Sequence, residues 1–389
     1  MYIVATKEDF QELVQSGEKA RGSIAIIEPD AIVGTNPLGE PVAASHNVAV
    51  ILREIAQQNS ILFSLWNTGF QSLDMVTPFA QFLRSCNGII VEGGRPSIYD
   101  SQSFNHNPSL PREEFLSLVE SLLLNRTAGS APALYICLGH QAVGEALIRL
   151  IRRAITNLQC QDDLPKPARK AFRDISTYIH QFGEQLVIRR KRHIIANGYR
   201  DTRFAVAPNE QREVGIRRLH PYQPLEHLPE PLLKAHEKTA ATESGIIEDL
   251  IRIDDWDLAM LHGDEVNQEA ILFANWALNH LNNELQDHRD DIASSPHTWL
   301  LNLPFGVEVL CSTFFPDSTR PLTEVAAMAI YYQDHNTGQR RRDFSLQFHP
   351  ELLDDLRTFR VPPTPPPPLH DSDGTRLLVT LLRREGDHQ

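Results

Sequence analysis

Ala133-Leu134-Tyr135-Ile136-Cys137-Leu138-Gly139-His140-Gln141 is the stretch whose reading decides the fold. Its first four residues read as a buried strand, and an amphipathic helix begins near Gln141. Cys137 then falls on a sharp strand-to-helix turn that exposes it at the edge of a sheet. A helix N-terminus presents backbone N–H groups with no intrahelical partner, and these favour a thiolate over a thiol. Cys137 is therefore a candidate nucleophile. A buried structural cysteine is the commoner case for an intracellular chain; the turn, Gly139 and a downstream proton acceptor weigh against it here.

That acceptor is in Phe348-His349-Pro350-Glu351, at the end of the apolar run 344–348. A nucleophilic cysteine needs a base, and the base needs an orienting group. In an extended segment residues i and i+2 share a side, so His349 and Glu351 project together, with Pro350 stiffening the backbone between them.

Four landmarks in order give the chain a resemblance to the class I glutamine amidotransferases, which release ammonia from glutamine with a Cys-His-Glu triad. Residues 88–97, Gly-Ile-Ile-Val-Glu-Gly-Gly-Arg-Pro-Ser, resemble the strand and glycine loop that supplies part of the oxyanion hole. Cys137 to Gln141 resembles the nucleophile elbow. Leu261-His262-Gly263-Asp264-Glu265-Val266 resembles the loop that closes over the amino-acid end of the substrate, and Gln347-Phe348-His349-Pro350-Glu351 the segment with base and orienter. The resemblance covers about residues 23–359, with two long interruptions. It implies Cys137, His349 and Glu351 as the triad and the N–H groups of Gly94 and Leu138 as oxyanion donors. Gln141, Gly263 and Asp264 would bind the glutamine α-amino and carboxylate groups. Two departures stand out: Tyr135 where the family usually has glycine two residues before the nucleophile, and Arg95 where proline often follows the glycine pair.

The pattern around the elbow implies the same architecture without the motifs. Short apolar segments at 24–27, 61–65, 88–91, 307–311, 328–332 and 344–348 read as strands. Helices are expected through Val48, Ile51, Leu52 and Ile55, near 79–83, and over 111–124. Strands alternating with amphipathic helices give an α/β fold, a doubly wound and mostly parallel sheet with helices on both faces. The resemblance makes that sheet flavodoxin-like. Residues 1–22 precede the family's first strand, either as an edge strand and helix or as a cap on the sheet. The amidotransferase-like domain occupies 23–360, and 361–389 form a proline-rich linker and tail.

The first interruption, about 156–253, contains an expected helix over 167–182, the basic run Arg189-Arg190-Lys191-Arg192-His193, and Glu213-Val214-Gly215-Ile216 as a family-like strand. The basic run reads first as a solvated edge; a nucleotide, a phosphorylated acceptor or an acidic partner surface is the alternative. The second interruption, 267–302, reads largely as a helix through Phe273, Trp276, Ala277 and Leu281. The tail's Pro362-Pro363-Thr364-Pro365-Pro366-Pro367-Pro368 reads as an extended spacer, followed by residues 375–384, apolar enough to dock on this chain or a partner.

Composition bounds the function. A chain of 389 residues, 41% hydrophobic, can bury a sizeable core, and its net charge of −13 weighs against a nucleic-acid partner. Four cysteines without metal-ligand spacing point to a reducing compartment, and the sixteen histidines show no pattern that demands a metal. The start of the chain shows no secretory signal, and no apolar run is long enough to span a bilayer, so a cytoplasmic protein away from membranes is expected. No cofactor is implied. Three function classes follow: a glutaminase unit feeding ammonia to a partner synthetase, a stand-alone cysteine hydrolase of γ-glutamyl compounds, and a non-catalytic regulatory relative. No phosphate loop or other nucleotide-binding glycine cluster is present to activate an acceptor, so the acceptor is not legible in this chain.

Overall fold

A computed structural model describes residues 2–4, 6–16, 22–30, 33–35, 41–43, 48–49, 52, 58–65, 76–94, 96–98, 112–126, 130–159, 173, 177, 206–222, 230–241, 257–286, 289–294, 296–313, 325–333, 340–350, 377–378 and 381. Among them are strands β1 (Tyr2–Val4), β2 (Ser23–Glu28), β3 (Val33–Thr35), β4 (Pro41–Ala43), β5 (Asn59–Ser64), β6 (Gly88–Val91) and β7 (Ala133–Ile136). The later strands are β8 (Val206–Pro221), β9 (Asp257–Val266), β10 (Gly306–Thr313), β11 (Ala327–Gln333) and β12 (Arg340–Leu346). Helices are α1 (Lys7–Ser16), α2 (Val76–Leu83), α3 (Arg112–Leu124), α4 (Leu138–Gln159), α5 (Glu230–Ala241), α6 (Gln268–Gln286) and α7 (Arg289–Ala293).

Ten strands form one mixed sheet in the order β1-β5-β2-β6-β7-β12-β11-β10-β8-β9, while β3 and β4 make a separate antiparallel pair. Neighbours are parallel from β1 to β12 and antiparallel from β12 to β9. With β1 set aside, the parallel strands in chain order take the spatial order 2-1-3-4-5, reversing between β2 and β6. Ligands of open α/β sheets bind beyond the carboxyl ends of the strands at such a reversal.

Two apolar layers explain why these strands read as continuous hydrophobic runs. Ala25, Ile27, Ala133 and Tyr135 face one layer with residues of α1 to α4 and α6. Their neighbours Ile24, Ile26, Leu134 and Ile136 face the other, with helical Val48, Ala49 and Leu52. A strand buried on both faces has no polar side to alternate with. The N-terminal residues add an edge strand and a helix: β1 pairs with β5, and Phe10 of α1 meets Phe79 edge-on at 4.9 Å. The chain's end docks on its own fold, with Leu377, Leu378 and Leu381 buried in the second layer.

The elements expected at 24–27, 88–91, 111–124, 307–311 and 328–332 are present with small shifts of boundary, and Glu213 to Ile216 lies inside β8. Three readings need correction. The helix after the nucleophile starts at Leu138, three residues before Gln141, because its first turn packs directly on β6. The strand leading to His349 ends at Leu346 and bends at Gln347 and Phe348. The segment Leu261 to Val266 is strand rather than loop, since it pairs with β8 along the antiparallel edge. Of the helix expected over 167–182, Arg173 and Thr177 are helical and joined by the Thr177 hydroxyl to the Arg173 carbonyl at 2.8 Å. The basic run 189–193, the proline-rich spacer, Ile51, Ile55 and Arg95 lie outside the described residues.

Candidate functional site

Cys137 has φ +49°, the one non-glycine residue with positive φ among the described residues. This left-handed region is costly for a residue with a Cβ and recurs where surrounding structure enforces it, often at active sites. The enforcement is visible on both sides. The Cys137 N–H donates to the Leu346 carbonyl at 2.7 Å, and its own carbonyl accepts the Gln141 N–H at 2.9 Å. Cys137 thus ends the ladder between β7 and β12 and opens the 22-residue α4, whose first N–H groups surround it.

Glycine is required beside it. A Cβ on Gly139 would lie 2.6 Å from the Val91 carbonyl oxygen, a main-chain atom that cannot move aside. A Cβ on Gly94 would lie 2.6 Å from Leu138 Cδ2 and 3.1 Å from Asp30 Cβ. Gly94 and Leu138, the two expected oxyanion donors, are therefore packed against one another. They stand where the carboxyl ends of β2 and β6 meet the start of α4, at the reversal of strand order.

His349 comes to the same region from β12. It is fully buried, three residues beyond Leu346, whose carbonyl holds Cys137. Extended geometry is expected from His349 through Glu351, but β12 already ends at Leu346 and the chain bends at Gln347 and Phe348 before His349. Glu351 lies outside the described residues. Gln141 is buried in the first turn of α4. Gly263 and Asp264 lie in β9, at an irregular point of the ladder: Asp264 pairs with Pro208 and His262 with Glu213. The strand's last residue, Val266, brings this segment to the elbow helix, 3.0 Å from an ideal Cβ on Gly144, and its carbonyl accepts the Val325 N–H at 2.9 Å.

Sequence reasoning missed the polar scaffold beneath these residues. His140 is fully buried: its Nε2 donates to the Val325 carbonyl at 2.8 Å, and its Nδ1 accepts from the Ser345 hydroxyl at 2.8 Å. The carbonyl can only accept, which fixes that tautomer and ties the first turn of α4 to β12. Nearer the start of β7, Asp343 takes Arg126 Nε at 2.9 Å and the Ala133 N–H at 2.9 Å, while Arg126 also donates to the Ala131 carbonyl at 3.0 Å. These contacts lock the register between the strand carrying Cys137 and the strand leading to His349. In the sequence Arg126 and Asp343 each sit just outside an apolar run, after Leu122-Leu123-Leu124 and before 344–348, and nothing there marks a pairing that spans 217 positions. Tyr135 is fully buried on the same face of β7, and burial pushes its phenol up, so it stays protonated.

Burial pushes the Cys86 and Cys311 thiols up to about 12, which keeps them protonated and unreactive at neutral pH. Among the described residues no group of His, Cys, Asp and Glu is arranged to hold a metal ion, and no helix is long and apolar enough to cross a membrane. In comparisons with known proteins, no family model and no curated protein matches the chain. The arrangement places a strained cysteine at a helix N-terminus beside the packed Gly94 and Leu138, and a buried histidine three residues beyond the Leu346 carbonyl that holds that cysteine.

Proposed function

We propose that the chain is a glutaminase of the class I glutamine amidotransferase type, hydrolysing the glutamine side-chain amide to glutamate and ammonia. The observation that carries this reading is the left-handed Cys137 between β7 and α4, the backbone signature of a nucleophile elbow. The strand order 2-1-3-4-5 supports a flavodoxin-like fold with the site at its switch point.

In this reading the Cys137 thiolate attacks the carboxamide carbon while His349 takes the thiol proton. The oxyanion forms against the N–H groups of Leu138 and Gly94, each contributing about 3 kcal/mol to lowering the barrier. Collapse expels ammonia, protonated by His349, and leaves a γ-glutamyl thioester on Cys137. Water, deprotonated by the same imidazole, then releases glutamate. Glu351 orients the imidazole and stabilises its charged form. Gln141 and the chain around Gly263 and Asp264 bind the α-amino and carboxylate groups.

Ammonia is largely protonated in neutral water and loses its nucleophilicity, so a synthetase partner that encloses its transfer belongs to the same reading. Ammonia release by the purified chain, measured with and without proteins that co-purify from its native host, tests it. Slow hydrolysis of glutamine that rises with the partner, and is lost in Cys137→Ala, is the expected result. Fast, saturable hydrolysis of another γ-glutamyl amide by the isolated chain would replace it with the stand-alone cysteine hydrolase.

A further inference from the structure

Gln347 is completely buried, and among the described residues neither its Oε1 nor its Nε2 has a hydrogen-bond partner. Only its main chain is held, by the N–H donating to the Ala326 carbonyl at 2.8 Å. A primary amide carries two donors and a two-lone-pair acceptor, and leaving them unsatisfied in an interior is strongly unfavourable. Native proteins seldom retain such a group without a use for it.

Its location identifies the use. Gln347 follows Leu346, whose carbonyl fixes Cys137, and precedes His349 by two residues. Leu346 and Phe348 both join the apolar layer on one face, whereas Ser345, on the alternate face, bonds His140 of the elbow helix. The Gln347 side chain thus belongs with the polar row Asp343, Ser345, Gln347, all fully buried. Asp343 and Ser345 bond to Arg126 and His140, and the last member before the base has its amide open.

We infer that Gln347 is a substrate-contacting residue, its amide donating to and accepting from a ligand that presents both kinds of group. A primary carboxamide or an ammonium–carboxylate pair has that chemistry, and glutamine has both. This rests on the proposed glutaminase reading for the identity of the ligand, but not for the openness of the amide. Gln347 would complete its hydrogen bonds only when substrate is bound, which raises discrimination against apolar analogues because these leave it unsatisfied.

The test uses Gln347→Met, which keeps length and removes both polar atoms. Glutamine binding is measured by calorimetry on full-length Cys137→Ala, with and without Gln347→Met, and thermal unfolding is compared without ligand. At least tenfold weaker binding, with an unfolding midpoint equal to or above that of the parent, is the expected result. Binding within twofold of the parent overturns the inference. So does a midpoint lowered by several degrees, since that would reveal an internal partner for the amide. If Cys137→Ala binds no glutamine at all, the glutaminase reading falls, and the unfolding comparison still decides whether the amide is open.

Discussion

The elbow around Cys137 and the clamp around β10 are both buried, both polar and both built on histidine and glycine, yet they are made differently. In the clamp, polar groups converge on each other. Asn275 Oδ1 accepts from Val307 N–H at 2.9 Å, from Asn279 Nδ2 at 3.0 Å and from the Thr239 hydroxyl at 3.2 Å. His236 Nε2 accepts the Val309 N–H at 3.2 Å. At the elbow the backbone is held in a costly conformation, and a buried amide is left open. The clamp's polar groups fix α5 and α6 to β10 and leave one amide nitrogen, Asn275 Nδ2, without a partner. What the elbow adds is backbone strain at Cys137, beside an amide with both of its polar atoms unpartnered, and that combination is what the proposed site would use.

The two buried histidines give the widest separation. His349→Gln, which keeps most of the buried volume, is expected to lower glutamine turnover by about 10³-fold or more while changing the unfolding midpoint little. His236→Ala should leave turnover within about twofold and cost about 3 kcal/mol of stability, because it empties a packed site and orphans the Val309 N–H. Steady-state kinetics and urea denaturation on both variants decide it; the same profile in both would erase the distinction.

The clamp histidine also has a pH signature. Burial pushes His236 down from 6.5 to about 4, so the unfolded chain takes up the proton first. Its contribution to stability is complete above about pH 6.5 and is lost as pH falls toward 4, by about 3 kcal/mol in all. Denaturation curves at pH 7.5 and 4.5 should show that loss in the parent and a smaller one in His236→Gln.

Glycine substitutions sharpen the contrast with the smallest chemical change. Gly94→Ala drives a methyl into Leu138 and Asp30 and should cost about 10²-fold in turnover by displacing an oxyanion donor. Gly306→Ala meets Asn275 Oδ1 at 2.8 Å and Asn279 Nδ2 at 2.9 Å, and should cost about 1–3 kcal/mol of stability with turnover intact. Parallel assays of thermal stability and ammonia release read both.

Much of this was legible in the chain. The parallel strands announced themselves as apolar runs because both faces are covered, and Cys137, Gly139 and Gln141 marked the turn. The antiparallel edge was harder. Leu261 to Val266 contains Gly263 and charged residues at Asp264 and Glu265, which read as loop chemistry, yet pairing with the long β8 makes them strand. The docking of Leu377, Leu378 and Leu381 was visible as apolar content but not as a destination. The Arg126–Asp343 pair and the open Gln347 amide were out of reach, because a side chain's partners over such separations are set by the folded sheet.

The central claim is that Cys137 is the activated thiol of a glutamine-hydrolysing site. The most direct measurement treats the intact protein with a diazo-ketone analogue of glutamine at neutral pH and maps the adduct by mass spectrometry. One equivalent on Cys137, suppressed by excess glutamine and absent from Cys86 and Cys311, is the result expected from their protonated, buried thiols. An unlabelled Cys137 in folded protein, or labelling spread over Cys86 and Cys311 and indifferent to glutamine, would contradict it.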